Sequence, residues 1–284
     1  MKIAILDDYQ NVATKMADWS ALAGKAQIAV FNNHISDTEA LISRLCPYDI
    51  ICVLRERTPF PRAILERLPQ LKLIASTGLG NSSIDVTAAD ELGIAITSTG
   101  YFSEPTIEMT WALIHASARN IVRESNAVRS GGWQQSVGAD LHGKTLGVLG
   151  LGRVGGGVMR VGAAFGMNVI AWSQNMTAET ARAAGAELVS KSELLRQSDI
   201  LTIHLRLSER TKGLVGGAEL RLMKPTARLI NTSRGPIVDE AALIDALQSG
   251  AIAGAAVDVF DEEPLPAEHP FRTLSNVLAT PHIG

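Results

Sequence analysis

The chain has 284 residues, of which 46% are hydrophobic and 19% are charged, and its formal net charge at pH 7 is -3. This composition excludes a disordered chain, and the length fits two domains of roughly 100 to 200 residues each. The weak negative charge argues against nucleic acid or an anionic membrane surface as a partner, and no purely apolar run of about 18 residues suggests a membrane span.

The first 98 residues alternate short apolar runs with helix-length segments. The apolar runs are KIAIL, QIAVF, DIICVL, LKLIAST and IAITS, and the segments between them contain residues 18–22, 38–45 and 61–68. Such alternation predicts a parallel sheet with helices on both faces. We therefore predict that residues 1–98 form one α/β domain.

The N-terminus and the cysteines bear on the cellular compartment. The chain starts directly with a strand-like run and turns acidic at Asp7 and Asp8, which is not the layout of a cleaved signal peptide. Cys46 and Cys52 are the only cysteines, and we expect free thiols in a reducing environment. The cytoplasm is the expected location.

Residues 104–127 read as one long helix, with Pro105 in the first turn and apolar side chains at helical spacing. Gly131, Gly132 and Trp133 end it. A second series of apolar runs follows: TLGVLG, NVIAWS, ILTIHL, RLINTS, AAVDVF and NVLATP. Six such strands with intervening helices predict a second doubly wound parallel sheet.

A glycine motif follows the first strand of this second series. Gly150, Gly152 and Gly155 satisfy G-x-G-x-x-G and precede a helix-like segment. The first two glycines allow a tight turn and the approach of a pyrophosphate, and the third allows the helix to pack close to the sheet. The helix N-terminus then offers N–H groups to phosphates. This context predicts a dinucleotide site.

The residue type at the end of the next strand leaves the cofactor open. A dinucleotide site for NAD usually has Asp or Glu there, about twenty residues after the motif, but this strand ends in Ser173, followed by Gln174 and Asn175. No carboxylate repels a 2′-phosphate and no adjacent arginine attracts one. We expect NAD or NADP, with Arg206 either a cation near the adenosine or a solvated surface residue.

Several motifs in order resemble the D-isomer specific 2-hydroxyacid dehydrogenases, a family that includes D-lactate, D-glycerate and D-3-phosphoglycerate dehydrogenases. The motifs are LKLIASTGLGNSSID, LHGKTLGVLGLGRVG, LTIHLRLSERTKGL, LINTSRGPIVDEAAL, AAVDVFDEEP and TPHIG. The resemblance runs from Met1 to Gly284. It implies a flavodoxin-like substrate-binding domain over residues 1–98, a Rossmann NAD(P)-binding domain over residues 99–284, and a homodimer.

The resemblance also implies an enzyme that transfers a hydride between NAD(P)H and a small 2-keto or 2-hydroxy acid of the D series. Reduction of a ketone leaves negative charge on the carbonyl oxygen, so the site needs a proton donor and a cation. By resemblance, His282 is the general acid or base, Glu263 orients it and favours its charged form, and Arg234 binds the substrate carboxylate. As isolated residues, a surface arginine, an acidic turn and a structural histidine are the alternative interpretations.

Further contacts are implied residue by residue. The substrate carboxylate is expected on the N–H groups of the turn Gly78, Leu79 and Gly80 with Arg55 nearby, although plain turn geometry also accounts for these glycines. Besides the three motif glycines, the expected cofactor contacts are Thr106, Arg153, Val154, Ser173, Leu205, Arg206, Thr211, Thr232, Ser233 and Asp258. No metal site is predicted.

The sequence departs from the family pattern in three places. Ser173 replaces the acidic ribose ligand, Arg206 stands where proline is frequent, and relatives usually continue beyond the TPHIG motif. The last departure implies either a truncated chain or a less well buttressed domain. A formate-type dehydrogenase is disfavoured by Glu263, since that class pairs its histidine with glutamine. A dinucleotide-sensing corepressor on the same fold is the alternative from another class.

Overall fold

The structure is a computed structural model that describes residues 1–78 and 80–284. The chain divides into two compact units, Met1–Phe102 and Ser103–Gly284. The division expected from the sequence, after residue 98, lies a few residues earlier.

The first unit contains a five-stranded parallel sheet with strand order β2-β1-β3-β4-β5. All five predicted strands are present: β1 (Lys2–Ile5), β2 (Gln27–Val30), β3 (Ile50–Val53), β4 (Leu73–Ser76) and β5 (Ala95–Ser98). The order reverses between β1 and β3, which is the flavodoxin-like arrangement that the resemblance implies.

The helices of the first unit are short. They are α1 (Ala13–Met16), α2 (Thr38–Leu45), α3 (Arg62–Leu65) and α4 (Val86–Glu91). Asp37 and Asp85 cap α2 and α4, because their carboxylates accept hydrogen bonds from the Ala40 and Ala88 N–H groups. The helix expected around residues 18–22 is only a 3-10 turn, Ser20–Leu22, in which no residue is buried.

The second unit contains a seven-stranded parallel sheet with strand order β12-β11-β10-β9-β6-β7-β8. The six predicted strands correspond to β6 (Thr145–Leu149), β7 (Asn168–Trp172), β9 (Ile200–Ile203), β10 (Arg228–Asn231), β11 (Gly254–Val257) and β12 (Val277–Ala279). The seventh, β8 (Glu187–Leu188), is a two-residue edge strand too short for the sequence pattern to indicate. The doubly wound fold class is confirmed.

Seven helices of the described chain cover this sheet. They are α5 (Glu104–Ala118), α6 (Ile121–Arg129), α7 (Arg153–Ala164), α8 (Ala178–Ala183), α9 (Lys191–Gln197), α10 (Gly217–Leu220) and α11 (Glu240–Gln248), with 3-10 turns at Gly235–Ile237 and Pro270–Arg272.

The single long helix predicted over residues 104–127 was wrong, because the chain breaks between α5 and α6. Asn120 adopts a left-handed conformation with φ of 52°, which asparagine tolerates better than most residues. The Ala118 carbonyl at the end of α5 accepts a hydrogen bond of 2.8 Å from the Ala139 N–H. The returning segment after α6 therefore occupies the acceptor that a continuous helix would use.

Buried side chains lie on both faces of the seven-stranded sheet. Leu201 and Ile203 of β9 pack into one cluster, whereas Ile200 of the same strand packs into the other, with Trp111 of α5. A Cβ built at Gly157 of α7 would lie 2.2 Å from Ile107 Cδ1, so α5 and α7 pack in close contact. Because these strands are parallel, the turns that follow β6, β9, β10, β11 and β12 lie along one edge of the sheet, here called the carboxyl edge.

Candidate active site

The glycine motif forms the turn between β6 and α7 at the carboxyl edge. Gly150 has φ of 101°, and a Cβ built there would lie 2.6 Å from the His204 carbonyl oxygen. A Cβ at Gly155 would lie 2.1 Å from the Gly150 carbonyl oxygen, while one at Gly152 would meet no atom within 4 Å. Gly150 and Gly155 thus permit close packing, and Gly152 lies in open space.

The N-terminus of α7 fits a phosphate. Gly152 is the N-cap residue, so no side chain caps the first N–H groups of the helix. Those groups need an acceptor, and an anion at a helix N-terminus supplies one. The order of the strands also reverses between β6 and β9, where ligands of doubly wound folds bind. The residues present therefore fit a dinucleotide.

His204 follows β9 beside this turn and was not among the predicted contacts. Its Nε2 lies 2.8 Å from Thr202 Oγ1, and its buried Nδ1 has no partner among the described residues. Burial lowers the pKa of His204 to about 3, so the imidazole is neutral near pH 7. Its position directly after a predicted strand was the one indication of it in the sequence.

Arg234 lies in the turn that follows β10. Asn231, the last residue of that strand, closes the turn with its side-chain amide. Arg234 Nη1 donates a hydrogen bond of 2.7 Å to the Ser233 carbonyl oxygen, and Ser233 Oγ donates one of 2.7 Å to the Ile203 carbonyl oxygen of β9. The turn is therefore tied to its neighbouring strand.

Glu263 and His282 form a close pair, although they follow different strands. His282 Nδ1 lies 2.6 Å from Glu263 Oε2, and the other carboxylate oxygen accepts a hydrogen bond of 3.0 Å from the Phe260 N–H. The side chains are largely buried, at 10% exposure for His282 and 23% for Glu263. A carboxylate held in this way fixes the orientation of the imidazole ring.

Asp258, predicted as a cofactor contact, directs its carboxylate at the segment that carries His282. It accepts hydrogen bonds from Thr280 Oγ1 at 2.6 Å, from the Ile283 N–H at 3.0 Å and from the Gly284 N–H at 2.8 Å. Asp258 is only 1% exposed. These bonds hold the backbone of His282 in a left-handed conformation with φ of 52°.

The Arg234 turn and the Glu263 loop touch through their backbones. A Cβ built at Gly235 would lie 2.1 Å from the Phe260 carbonyl carbon and 2.6 Å from the Asp261 nitrogen. Only glycine permits this approach. The structure thus brings together the turn that bears Arg234 and the loop that orients His282.

The other predicted cofactor residues of this unit lie at or near the carboxyl edge. Leu205 packs against Gly150, Arg153 and Val154 begin α7, Ser173 follows β7, and Arg206 is exposed after β9. Thr211 Oγ1 donates to the Arg206 carbonyl at 2.6 Å, within its own loop. Thr232 Oγ1 lies 2.8 Å from Thr110 Oγ1, which itself donates to the Thr106 carbonyl oxygen at 2.7 Å.

The predicted substrate residues belong to the first unit. Arg55 follows β3 with φ of 54°, and its N–H donates to Thr77 Oγ1 at 3.0 Å. Gly78 and Gly80 follow β4 with φ of 88° and 76°, and Leu79 lies outside the described residues. Because the Gly78 N–H donates to Thr99 Oγ1 at 2.8 Å, this group already has an acceptor.

Over residues 1–78 and 80–284, every helix is too short or too polar to span a bilayer. Within the same residues, no group of three or more His, Cys, Asp or Glu side chains is arranged to hold a metal ion.

Comparison with protein families gives a match over residues 111–284 to a model described as "D-isomer specific 2-hydroxyacid dehydrogenase, NAD binding domain". A glyoxylate reductase of Aeropyrum pernix is 47% identical over 229 residues, which cover 77% of this chain and 68% of the relative. A D-3-phosphoglycerate dehydrogenase of Methanocaldococcus jannaschii is 40% identical over 87% of this chain, but only 47% of the relative is covered.

Solved structures show the same likeness over nearly the whole chain. A structure described as a putative D-3-phosphoglycerate dehydrogenase from Ralstonia solanacearum matches with a TM-score of 0.93 and 37% sequence identity. The match covers 99% of this chain and 87% of the other.

Proposed function

Because the chain belongs to the D-isomer specific 2-hydroxyacid dehydrogenase family and is an NAD(P)-dependent oxidoreductase, we propose that His282, Glu263 and Arg234 carry out its chemistry on a small 2-keto or 2-hydroxy acid. The observation that supports this assignment is the contact of 2.6 Å between His282 Nδ1 and Glu263 Oε2. An oriented imidazole at the carboxyl edge is what proton transfer to a substrate oxygen requires.

When bound with its pyrophosphate at the glycine turn and the N-terminus of α7, a reduced nicotinamide dinucleotide would supply the hydride that the substrate's carbonyl carbon accepts in the reduction. His282 delivers a proton to the carbonyl oxygen, which becomes the hydroxyl of the product, and takes it back in the oxidation. Since Nδ1 faces Glu263, the transferred proton is on Nε2. General acid–base catalysis of this kind contributes roughly 10²- to 10⁴-fold in rate.

Glu263 supports this step through its negative charge and its position. One of its oxygens is fixed by the Phe260 N–H, so the carboxylate stays aligned with the imidazole. The Phe260 N–H and His282 Nδ1 each contact one carboxylate oxygen of Glu263. Glutamine in this position would replace one of these acceptor oxygens with an NH2 donor.

Arg234 is proposed to bind the substrate carboxylate and to polarise the carbonyl. Its planar guanidinium can bind a carboxylate through two parallel hydrogen bonds, which a lysine ammonium cannot do. Substrate contacts from Arg55, Gly78, Leu79 and Gly80 remain part of the proposal and rest on the family resemblance.

We extend the proposal to NAD and NADP, a homodimer and a cytoplasmic location. Ser173 carries no charge that would reject a 2′-phosphate.

The homodimer is expected to cover apolar side chains that are exposed on α6 and just after it; these are Ile121, Val122, Val128, Trp133 and Val137. Light scattering of the wild type and of Trp133→Ser tests this: a monomeric wild type would contradict it. The net charge of -3 still argues against nucleic acid.

The corepressor-like alternative has no support from the relatives, which are described as reductases and dehydrogenases. The decisive experiment is a panel of glyoxylate, hydroxypyruvate and pyruvate, each assayed with NADH and with NADPH. Consumption of reduced cofactor supports the enzyme. Inertness toward every acid with both cofactors would overturn the proposed function.

A further inference from the structure

We propose that Asn231 is a positioning residue that fixes the turn carrying Arg234, an inference that rests on the proposed function. Asn231 is the last residue of β10 and is only 2% exposed. A buried polar side chain must satisfy its hydrogen bonds within the protein. The partners that Asn231 uses for this purpose are both in the turn itself.

The side-chain amide closes the turn from both sides. Asn231 Oδ1 accepts a hydrogen bond of 3.0 Å from the Ser233 N–H, and Asn231 Nδ2 donates one of 3.0 Å to the Arg234 carbonyl oxygen. Asparagine is suited to this geometry because its short side chain carries an acceptor and a donor on one carbon. Aspartate keeps the acceptor and loses the donor.

The bond to the Arg234 carbonyl fixes the peptide unit between Arg234 and Gly235. That peptide leads directly into a close backbone contact, since a Cβ at Gly235 would lie 2.1 Å from the Phe260 carbonyl carbon. A rotation of the peptide would therefore push the turn against the loop that carries Glu263. Interiors this tightly packed transmit such a shift.

The contact extends from Phe260 to the proton donor. The Phe260 N–H holds Glu263 Oε1, and Glu263 Oε2 holds His282 Nδ1. The base of the turn is anchored as well, because the Asn231 carbonyl accepts a hydrogen bond of 2.9 Å from the Asp258 N–H. The Asn231 side chain thus fixes the backbone from which Arg234 extends. It also fixes how this turn contacts the loop that orients His282.

The test compares Asn231→Asp and Asn231→Ala with the wild type and with Asn276→Asp. Asn276 is the control. It is a partly buried asparagine just before β12, where the strands of the sheet begin, and its Nδ2 donates a hydrogen bond of 3.0 Å to the Leu247 carbonyl oxygen. We expect kcat/KM for the best acid of the panel to fall about 10- to 100-fold in both Asn231 variants, chiefly through KM. NADH affinity, measured by fluorescence titration, should fall less than kcat/KM, because Thr232 and Ser233 are two of many expected cofactor contacts and the others lie outside this turn.

Circular dichroism shows which variants fold. If Asn231→Ala does not fold, Asn231→Asp still tests the proposal, because aspartate has nearly the same volume as asparagine. If a folded Asn231 variant keeps kcat/KM within about twofold of the wild type, the proposal is overturned while the proposed function stands. The same holds if Asn276→Asp loses as much activity as Asn231→Asp.

Hydrogen exchange separates this inference from the proposed function. The Ser233 N–H should exchange faster in Asn231→Ala than in the wild type, whereas the exchange of this group in Asn276→Asp should not change. If the wild type reduces no acid of the panel, the proposed function fails, and hydrogen exchange alone then tests whether Asn231 fixes the turn. Unchanged protection of Ser233 in Asn231→Ala then overturns the inference.

Discussion

Asparagine and aspartate side chains bind turns at both edges of the seven-stranded sheet, the edge where the strands begin and the edge where they finish, but with different consequences. At the edge where the strands begin, here called the amino edge, Asp199 accepts hydrogen bonds from the Thr145 N–H at 2.8 Å and from Lys224 Nζ at 2.9 Å. Asn168 at the same edge donates to the Gly143 carbonyl oxygen at 3.2 Å. At the carboxyl edge, Asn231 and Asp258 make bonds of similar length to the turns that carry Arg234 and His282.

The difference lies in what the bonds hold. The amino-edge bonds join ordinary turns to strands, whereas the carboxyl-edge bonds hold a left-handed histidine and two backbones in close contact. Unusual backbone geometry persists only where its surroundings enforce it, and it is concentrated at functional sites. Substitutions in the turns that carry Arg234 and His282 should therefore change turnover, and those at the amino edge should change stability.

The largest effect is expected for His282→Gln. Loss of the proton donor should lower kcat for keto-acid reduction by about 10²- to 10⁴-fold, because glutamine cannot exchange a proton near neutral pH. NADH should still bind, as measured by fluorescence titration. Near-wild-type turnover would remove His282 from its role and would abolish the contrast between the edges.

Arg234→Lys should have the next largest effect. Lysine keeps the positive charge but loses the planar pair of donors, so the KM for the keto acid should rise about tenfold or more. Steady-state kinetics with the best acid of the panel gives KM and kcat separately. Unchanged values of both parameters would argue against Arg234 as the carboxylate ligand.

A pH effect on stability sharpens the comparison through His204. Its folded pKa of about 3 lies below the ordinary value of 6.5, so the unfolded chain binds a proton that the folded chain does not. The free energy of unfolding should fall as the pH falls below 6.5, by up to about 2 kcal/mol at pH 5 from this residue. Urea unfolding of the wild type and His204→Asn at pH 7 and pH 5 measures it. Equal losses in the two proteins would contradict the assignment.

The smallest effect is expected at the amino edge. Asp199→Asn keeps an acceptor for the Thr145 N–H but removes the charge that faces Lys224, so the free energy of unfolding should fall by about 1 kcal/mol. Activity should be unchanged in the same preparation. A clear loss of kcat/KM without loss of folded protein would show that the amino edge also affects catalysis.

The sheets were predictable because buried parallel strands leave compact apolar runs. NVIAWS and ILTIHL, for example, became β7 and β9. The two-residue strand β8 and the break at Asn120 were not predictable, since both depend on tertiary partners such as the Ala139 N–H. Elements that depend on the local sequence pattern were therefore predicted, and those that depend on tertiary contacts were not.

For the site, the motifs indicated residue types and order, and the family resemblance indicated roles. No spacing in the sequence could show that Glu263 Oε2 lies 2.6 Å from His282 Nδ1, because the two residues follow different strands. Asn231 was missed although asparagine side chains often close a turn by accepting from the backbone N–H two residues later. Its two partners became visible only with the fold.

The backbone contact between Gly235 and Phe260 has a consequence for protein engineering. A library randomised at position 235 should return glycine almost alone, whatever acid is used for selection, because any side chain would have to separate two loops. Designers who want a different acid specificity would therefore do better to vary other loops and to transplant the segments around 235 and 260 together, as one unit.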